Sequence, residues 1–549
     1  MLKGVEHIKN GLVLLLILTV YILGVQGCDD FEPSGNNNFI ISYDLLKTKI
    51  VVRFTDAKTG ELLSRKGVNV KVNGEAKNGV VDISGLMHNT YKSANGFLIL
   101  ALIPVEEYSP SETNPVRFSL EASLSGYLTA SKTIVLTRDG TYHYQIAMAK
   151  ADDLPEGISE VYKTGVGTIV NDTLTGKVSV STPGLEARLI LPPKTVLLDA
   201  QGMPLAGPLK ISLKYFGNTS DAPLSLFPGG LMSPENREGI VSDGMFFTAG
   251  YVSLNITGNN GKKAASFSNE KPRLELLVDK NTFNPQTGAK IETGDFIQVY
   301  DYDFETGVWN YENNDTILNY TGIPPVGDFV VTAQISSATY LAFSWFEPAD
   351  CYNGAKIVFG SDSSYSCFNG FVSGILRRQT DSSYVCWLGG ETGSGDTLSI
   401  NSVPSSQPLF IDWLTDSCNN ISVSPGSNPL YIDNLCSNEV NVVPVALTGP
   451  GFNGVTVEMN AHCPSNPDID IKPSSGIWYY AQDTPFCWHW SNMNNGVSKL
   501  CGLELGQKYV VGTCMDGHWY QWNFTLDESF YFKIDFDFSS NICMGVFGM

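Results

Sequence analysis

Short apolar runs with a two-residue period, cut every few positions by Gly, Pro, Asn or Asp, constrain this chain more than any other feature. Val68-Asn69-Val70-Lys71-Val72 alternates strictly, and Val116 to Ala122 does the same. Leu209, Ile211, Leu213 and Tyr215 repeat the pattern within Gly207 to Phe216. Alternation of this kind puts every second side chain on one face of a strand. After residue 30 no stretch shows a convincing 3.6-residue apolar period. The expected fold class is therefore all-β, with several β-sandwich domains (Ig-like or transthyretin-like) in series. A chain of 549 residues is too long for one compact domain.

The first residues read as an export signal. Lys3 and Lys9 form a basic region, and Leu12 to Val25 is apolar apart from Thr19, Tyr21 and Gly24. That stretch falls short of the ~20 residues a spanning helix needs and suits a signal peptide over residues 1–27. Val25-Gln26-Gly27-Cys28 resembles a bacterial lipobox, with Gln26 departing from the usual small residue. The resemblance implies that Cys28 becomes the acylated first residue of the mature chain, held on a membrane by its lipid. An ordinary secretory signal with a stray cysteine is the alternative. Asp29 and Asp30 resemble the surface-export signal of Bacteroidota lipoproteins; elsewhere an Asp there means inner-membrane retention. Residues 28–46 are expected to be a lipidated tether, with Pro33 to Asn38 flexible.

Residues 47–149 resemble a carboxypeptidase regulatory-like (transthyretin-like) domain. The likeness rests on Phe54 to Leu63 with its Asp56-x-x-Thr59-Gly60-x-x-Leu63 turn, on Val68 to Val72, on Ser125-Gly126-Tyr127, and on Ile134 to Leu136 with Tyr144 to Ala147. It implies a small sandwich without catalytic residues. Residues 160–347 form a second, larger sandwich, similar in the order of its strands to the central domain of cartilage intermediate layer protein. Two further units are expected at 348–445 (Cys-containing) and 446–549 (Cys- and Trp-rich).

Cysteine usage changes abruptly at residue 351. Cys351, Cys367, Cys386, Cys418, Cys436, Cys463, Cys487, Cys501, Cys514 and Cys543 all lie in the last two units, and no C-x-x-C pair occurs. An even number of widely spaced cysteines in an exported chain points to up to five disulfides, with metal binding as the rival reading. No G-x-S-x-G or H-E-x-x-H motif is present, and His88 and His143 read as surface or satisfied core residues.

One acidic run has partial calcium-loop spacing. Asp301, Asp303, Glu305 and Glu312 fall at the first, third, fifth and twelfth places, but Thr306 stands where a loop needs Gly. The same alternation fits a strand end. No other cofactor is expected. A net charge of −21 without a Lys/Arg cluster argues against a nucleic-acid partner.

Five of the nine tryptophans occur in the last 75 residues. In His518 to Phe524, Trp519, Gln521 and Asn523 share one strand face, while Tyr520, Trp522 and Phe524 share the other. A Trp beside two amides suits sugar stacking; Trp488 and Trp490 share a face as well. Packing of these aromatics on disulfides in a small core is the plainer reading. The expected role is a non-catalytic binding, adhesion or scaffolding lipoprotein of the outer membrane or cell surface. Its partners would be the membrane through the anchor, and glycans or envelope proteins. An accessory glycan-binding lipoprotein and a hydrolase of unrecognised type are the alternatives.

Overall fold

A computed structural model describes residues 39–42, 46–538 and 543, apart from 65, 84, 321–328, 352–353, 362–370, 392–396, 402, 415–420, 424, 434, 437–439, 448–452, 485–488, 516–517 and 539–542. Residues 1–27, expected to be a signal peptide, and Cys28, Asp29, Asp30, Cys367, Cys418, Cys487 and Trp488 lie outside the described residues. The chain is nearly all strand, as the alternation demands; the α-helix Asp221–Ser225 spans five residues.

Three units share one strand order. In the first, the opening strand Thr48–Asp56 lies between antiparallel Phe97–Leu102 and the parallel closing strand Gly140–Met148. The second sheet of that unit runs Tyr91–Lys92, Asn69–Asn73, Val116–Ser123, Ala130–Leu136. In the next such unit, Ala355–Ser361 lies between antiparallel Thr397–Ile400 and parallel Val440–Leu447. Its partner sheet runs Tyr384–Glu391, Phe371–Arg378, Leu409–Leu414, Leu430–Ile432. In the last, Asn453–Cys463 lies between antiparallel Val497–Leu503 and parallel Tyr531–Asp537. There the partner sheet runs His489–Met493, Ser475–Ala481, Lys508–Met515, His518–Thr525. An opening strand that pairs in parallel with its closing strand requires the chain to cross between sheets, since a hairpin cannot make that pairing. The same solution appears three times in one polypeptide.

The middle unit is larger. An eight-stranded sheet runs Ile158–Val166, Leu209–Phe216, Gly244–Thr257, Tyr340–Pro348, Phe296–Asp303, Val308–Ile317, Glu235–Arg237, Ile240–Ser242. A five-stranded sheet runs Val178–Ser181, Ala187–Leu191, Arg273–Val278, Phe329–Gln334, Asn319–Tyr320.

The units are not beads on a string, because their outer faces are buried against one another. In Thr48–Asp56, Ile50, Val52 and Phe54 fill the first unit's own core. Val51 points the opposite way and joins Ile99 and Ala101 in a core shared with Ile477, Trp478 and Leu500 of the last unit. Phe97 meets Trp478 at 5.4 Å. A strand buried on both faces reads as a continuous apolar run, which is what Ile50-Val51-Val52 is. A second shared core joins Trp345 and Phe247 of the middle unit to Ile357, Leu376 and Val443 of the third. Arg377 adds a bidentate pair with Asp221 at 2.9 and 2.7 Å.

One expectation is corrected here. Phe39–Ser42, within the segment assigned to the tether, is a strand that pairs in parallel with Asn466–Lys472 of the last unit. The last unit packs on the first unit and takes a strand from the N-terminal segment.

Arg117 ties the first unit to the middle one by a bidentate pair with Asp243 at 3.1 and 2.6 Å. Asp243 is buried, while Arg117 is 31% exposed. Arg117→Met is expected to cost about 2 kcal/mol in a urea melt, because it strands a buried carboxylate, moderated by the exposure of the pair. The double variant Arg117→Met/Asp243→Leu should recover most of that loss. Additive losses instead would show that the two groups do not act as a pair.

Cys351–Cys436 and Cys463–Cys543 are disulfides with Cα–Cα distances of 5.0 and 5.6 Å, and Cys501 is disulfide-bonded too. Among the described residues Cys386 is a buried free thiol, so it is not a bridge half.

Candidate functional site

A cavity lined by several titratable side chains lies where the first three units meet. Its volume is about 400 Å³, and Asn492 of the last unit reaches its edge. Three strands build it. Ala130–Leu136 contributes Lys132, Gly140–Met148 contributes Tyr142, His143 and Tyr144, and Tyr384–Glu391 contributes Cys386 and Trp387. The middle unit closes it with Met232, Ser233 and Asp243.

A glycine turn sets the local geometry. Gly229 and Gly230 both have left-handed backbone (φ 76° and 86°), which glycine adopts without a Cβ penalty. This turn docks on the first unit: Thr133 N–H donates to Gly229 O at 3.0 Å, and Gly229 N–H donates to Ser131 O at 3.1 Å. A Cβ on Gly230 would stand 2.6 Å from Lys132 Nζ, and one on Gly229 would stand 3.2 Å from Ser233 Cβ. Both glycines therefore make room for these neighbours.

The electrostatics of the site are uneven. Asp243 is matched by Arg117, Asp139 accepts from Thr48 Oγ1 at 2.7 Å, and Arg138 donates to Ser399 Oγ. Lys132 has no hydrogen bond or ion pair among the described residues, and burial pushes its pKa down. Burial pushes the Cys386 thiol up to about 11. His143 is pushed down to about 4 by burial, and its ring meets Phe371 edge-on at 5.1 Å. Phe371 stacks on Trp387, and the Arg53 guanidinium lies 5.2 Å from the Trp387 ring.

A protonated thiol and a neutral imidazole are poorly matched to nucleophilic catalysis near pH 7, which needs a thiolate or an activated hydroxyl. The same surroundings are well suited to holding a molecule.

The residues singled out from the sequence lie elsewhere. Trp519 is half-buried, 5.5 Å from Trp478, and its N–H donates to Gln521 Oε1 at 3.0 Å. Gln521 and Asn523 are exposed. On the opposite face Tyr520 and Trp522 pack on Phe536, and Phe524 stacks on Phe532, as the alternation predicts for a core face. Trp490 sits opposite Trp478 in the strand register. His88 bonds Asp82 at 2.7 Å.

The four acidic residues with calcium-loop spacing lie on a hairpin. In it Asp301 pairs with Asn310 and Asp303 with Val308. Asp303 spends its carboxylate inside the turn, accepting from Glu305 N–H at 2.9 Å and Thr306 Oγ1 at 2.8 Å. Glu305 reaches outward toward Lys71. Among the described residues, metal-type donors gather only at Asp350, Cys351 and Cys436, and those two sulfurs are bonded to each other.

The sequence reasoning missed Lys132, Ser233 and Cys386 as members of one site. Their one local signal was Gly229-Gly230.

No family model and no curated protein matches the chain. Among solved structures, the TIE protein of Bacillus anthracis aligns at 10% identity over 69% of this chain and 57% of its own, with a TM-score of 0.15. The chain thus spans little more than half of that protein. The full-length RrgB pilus protein of Streptococcus pneumoniae aligns at 9% identity over 88% of this chain and 93% of its own, with a TM-score of 0.14. The shaft pilin SpaA of Lactobacillus rhamnosus GG aligns at 10% identity over 34% and 95%, with a TM-score of 0.15. Scores this low leave these chains without a close superposition on this one.

Proposed function

We propose that this chain is a cell-envelope lipoprotein, anchored through Cys28, that serves as a non-catalytic binding and scaffolding body. The observation that carries the reading is the mutual burial of the sandwich units, which makes one block from folds that otherwise stand alone. A rigid block of β-sandwiches suits the presentation of surfaces and the holding of ligands. The thiol at about 11 and the imidazole at about 4 support a role other than nucleophilic catalysis. Export is supported by the disulfides in the last two units.

The anchor also bears on placement. Eleven residue steps lead from Cys28 to Phe39, a reach of at most about 40 Å when fully extended. With Phe39–Ser42 paired to the last unit, that unit sits close to the bilayer. Less supports a glycan role for Trp519, whose ring is half-buried and whose N–H is already bonded.

Metabolic labelling with an alkyne fatty acid tests the anchor. The wild-type chain is expected to take the label and sediment with membranes, and Cys28→Ala to lose both properties. An unlabelled chain that still carries residues 1–27 would overturn the proposal.

A further inference from the structure

We propose that the cavity between the first three units is a binding site for a small amphipathic monocarboxylate, with Lys132 and Ser233 taking its carboxylate and Trp387 walling its apolar end. The inference stands apart from the anchoring of the chain.

Two donors without partners carry it. Lys132 lines the cavity with no hydrogen bond or ion pair among the described residues. Ser233 lines it too; it is 2% exposed, and its hydroxyl has no partner among the described residues. A half-buried cation without a partner beside a buried hydroxyl without one is a costly arrangement that a bound anion would relieve. The consecutive glycines bring them together, since side chains at Gly229 and Gly230 would collide with the surroundings of each. A carboxylate has two oxygens and four lone-pair directions, so one group satisfies both donors.

Charge count selects a monoanion. Besides Lys132 the charged lining groups are Arg138, Asp139 and Asp243; Arg117 neutralises Asp243, and the charge of Arg138 offsets that of the adjacent Asp139. That leaves one uncompensated positive charge. A dianion such as a phosphate ester would bring a surplus negative charge beside Asp139 and Asp243, which is unfavourable away from bulk water.

Shape and lining select an amphipathic body. Trp387 is buried, with Phe371 stacked on it, and Val135, Leu388 and Leu398 continue the apolar wall. A volume of about 400 Å³ falls in the range of small-molecule sites.

The test uses the full-length chain in detergent and ¹⁹F NMR titration with a panel of fluorinated aromatic and aliphatic monocarboxylates. At least one member is expected to bind saturably to wild type. Lys132→Met should weaken it about tenfold or more, and Ser233→Ala about threefold or more. The matched neutral alcohol should bind at least tenfold more weakly. A urea melt of each variant confirms folding; Lys132→Met removes an unpaired charge and Ser233→Ala removes an unpaired hydroxyl. Absence of saturable binding across the panel would overturn the proposal. So would equal binding by both variants, or equal binding of acid and alcohol.

Discussion

Trp309→Ala is expected to lower stability by about 3–5 kcal/mol in a urea melt, the range for erasing a fully buried aromatic side chain. Trp309 is 0% exposed. Its ring stacks on Phe227 at 4.7 Å and meets Tyr302 at 5.1 Å, and its N–H donates to Pro228 O at 2.9 Å. These contacts hold the segment that runs into Gly229 and Gly230. That segment in turn docks on Ser131 and Thr133 of the first unit. Tyr302 reaches the same place, sharing a hydrogen bond of 2.7 Å with Ser131. Loss of the indole should therefore loosen the junction of two units as well as a core. Trp309→Phe, which keeps a ring but leaves Pro228 O without its donor, should cost about 1–3 kcal/mol. A loss below 1 kcal/mol for the alanine variant would refute this bracket.

Asp301→Asn should act in the opposite direction, raising stability at pH 7 by about 2–3 kcal/mol. Burial, with Glu312 beside it, pushes the Asp301 carboxyl up to about 6 from an ordinary 3.8. Glu312 is itself engaged by Ser336. Between pH 3.8 and 6 the folded chain holds a proton that the unfolded chain has lost, so stability falls as pH rises through that window. Above 6 the penalty is complete, and below 3.8 it is absent. The gain from Asn should accordingly shrink to nothing by about pH 4. His143 titrates with the reverse sign. Held down to about 4 against an ordinary 6.5, it makes the folded chain bind fewer protons across that interval, so its contribution to stability rises with pH. The two slopes oppose each other in wild type. Asp301→Asn should expose the histidine's slope, seen as a steeper loss of stability on acidification from pH 6.5 to 4. Unfolding curves at several pH values decide it; a gain independent of pH would assign the effect to something other than this carboxyl.

The strands were legible because alternation reports one buried face. Leu209–Phe216 shows this well: Leu209, Ile211 and Leu213 are buried, and the residues between them are less so. Packing between units was not legible, for a physical reason. Lys132 alternates with Ala130, Ile134 and Leu136 on the face turned to its own core, and that pattern does not show which other units its ammonium meets. A neighbouring unit more than 200 residues away covers it. Periodicity records which face is inside its own unit and is silent about what later lies on the outside. Cys386 follows the same logic: counting cysteines gives an even number, but pairing depends on which thiols meet. Trp478 reads as one of several C-terminal aromatics, and only Phe97 of the first unit gives it a place.

Phe39–Ser42 leaves the ribosome early, yet its hydrogen-bonding partner lies about 430 residues further along. Translation thus delivers this edge long before Asn466–Lys472 exists to receive it. Closure of that pairing must wait until Asn466–Lys472 has been made, a contact of very long sequence separation. Truncated products would leave the N-terminal strand unmatched, an open backbone available to quality-control proteases.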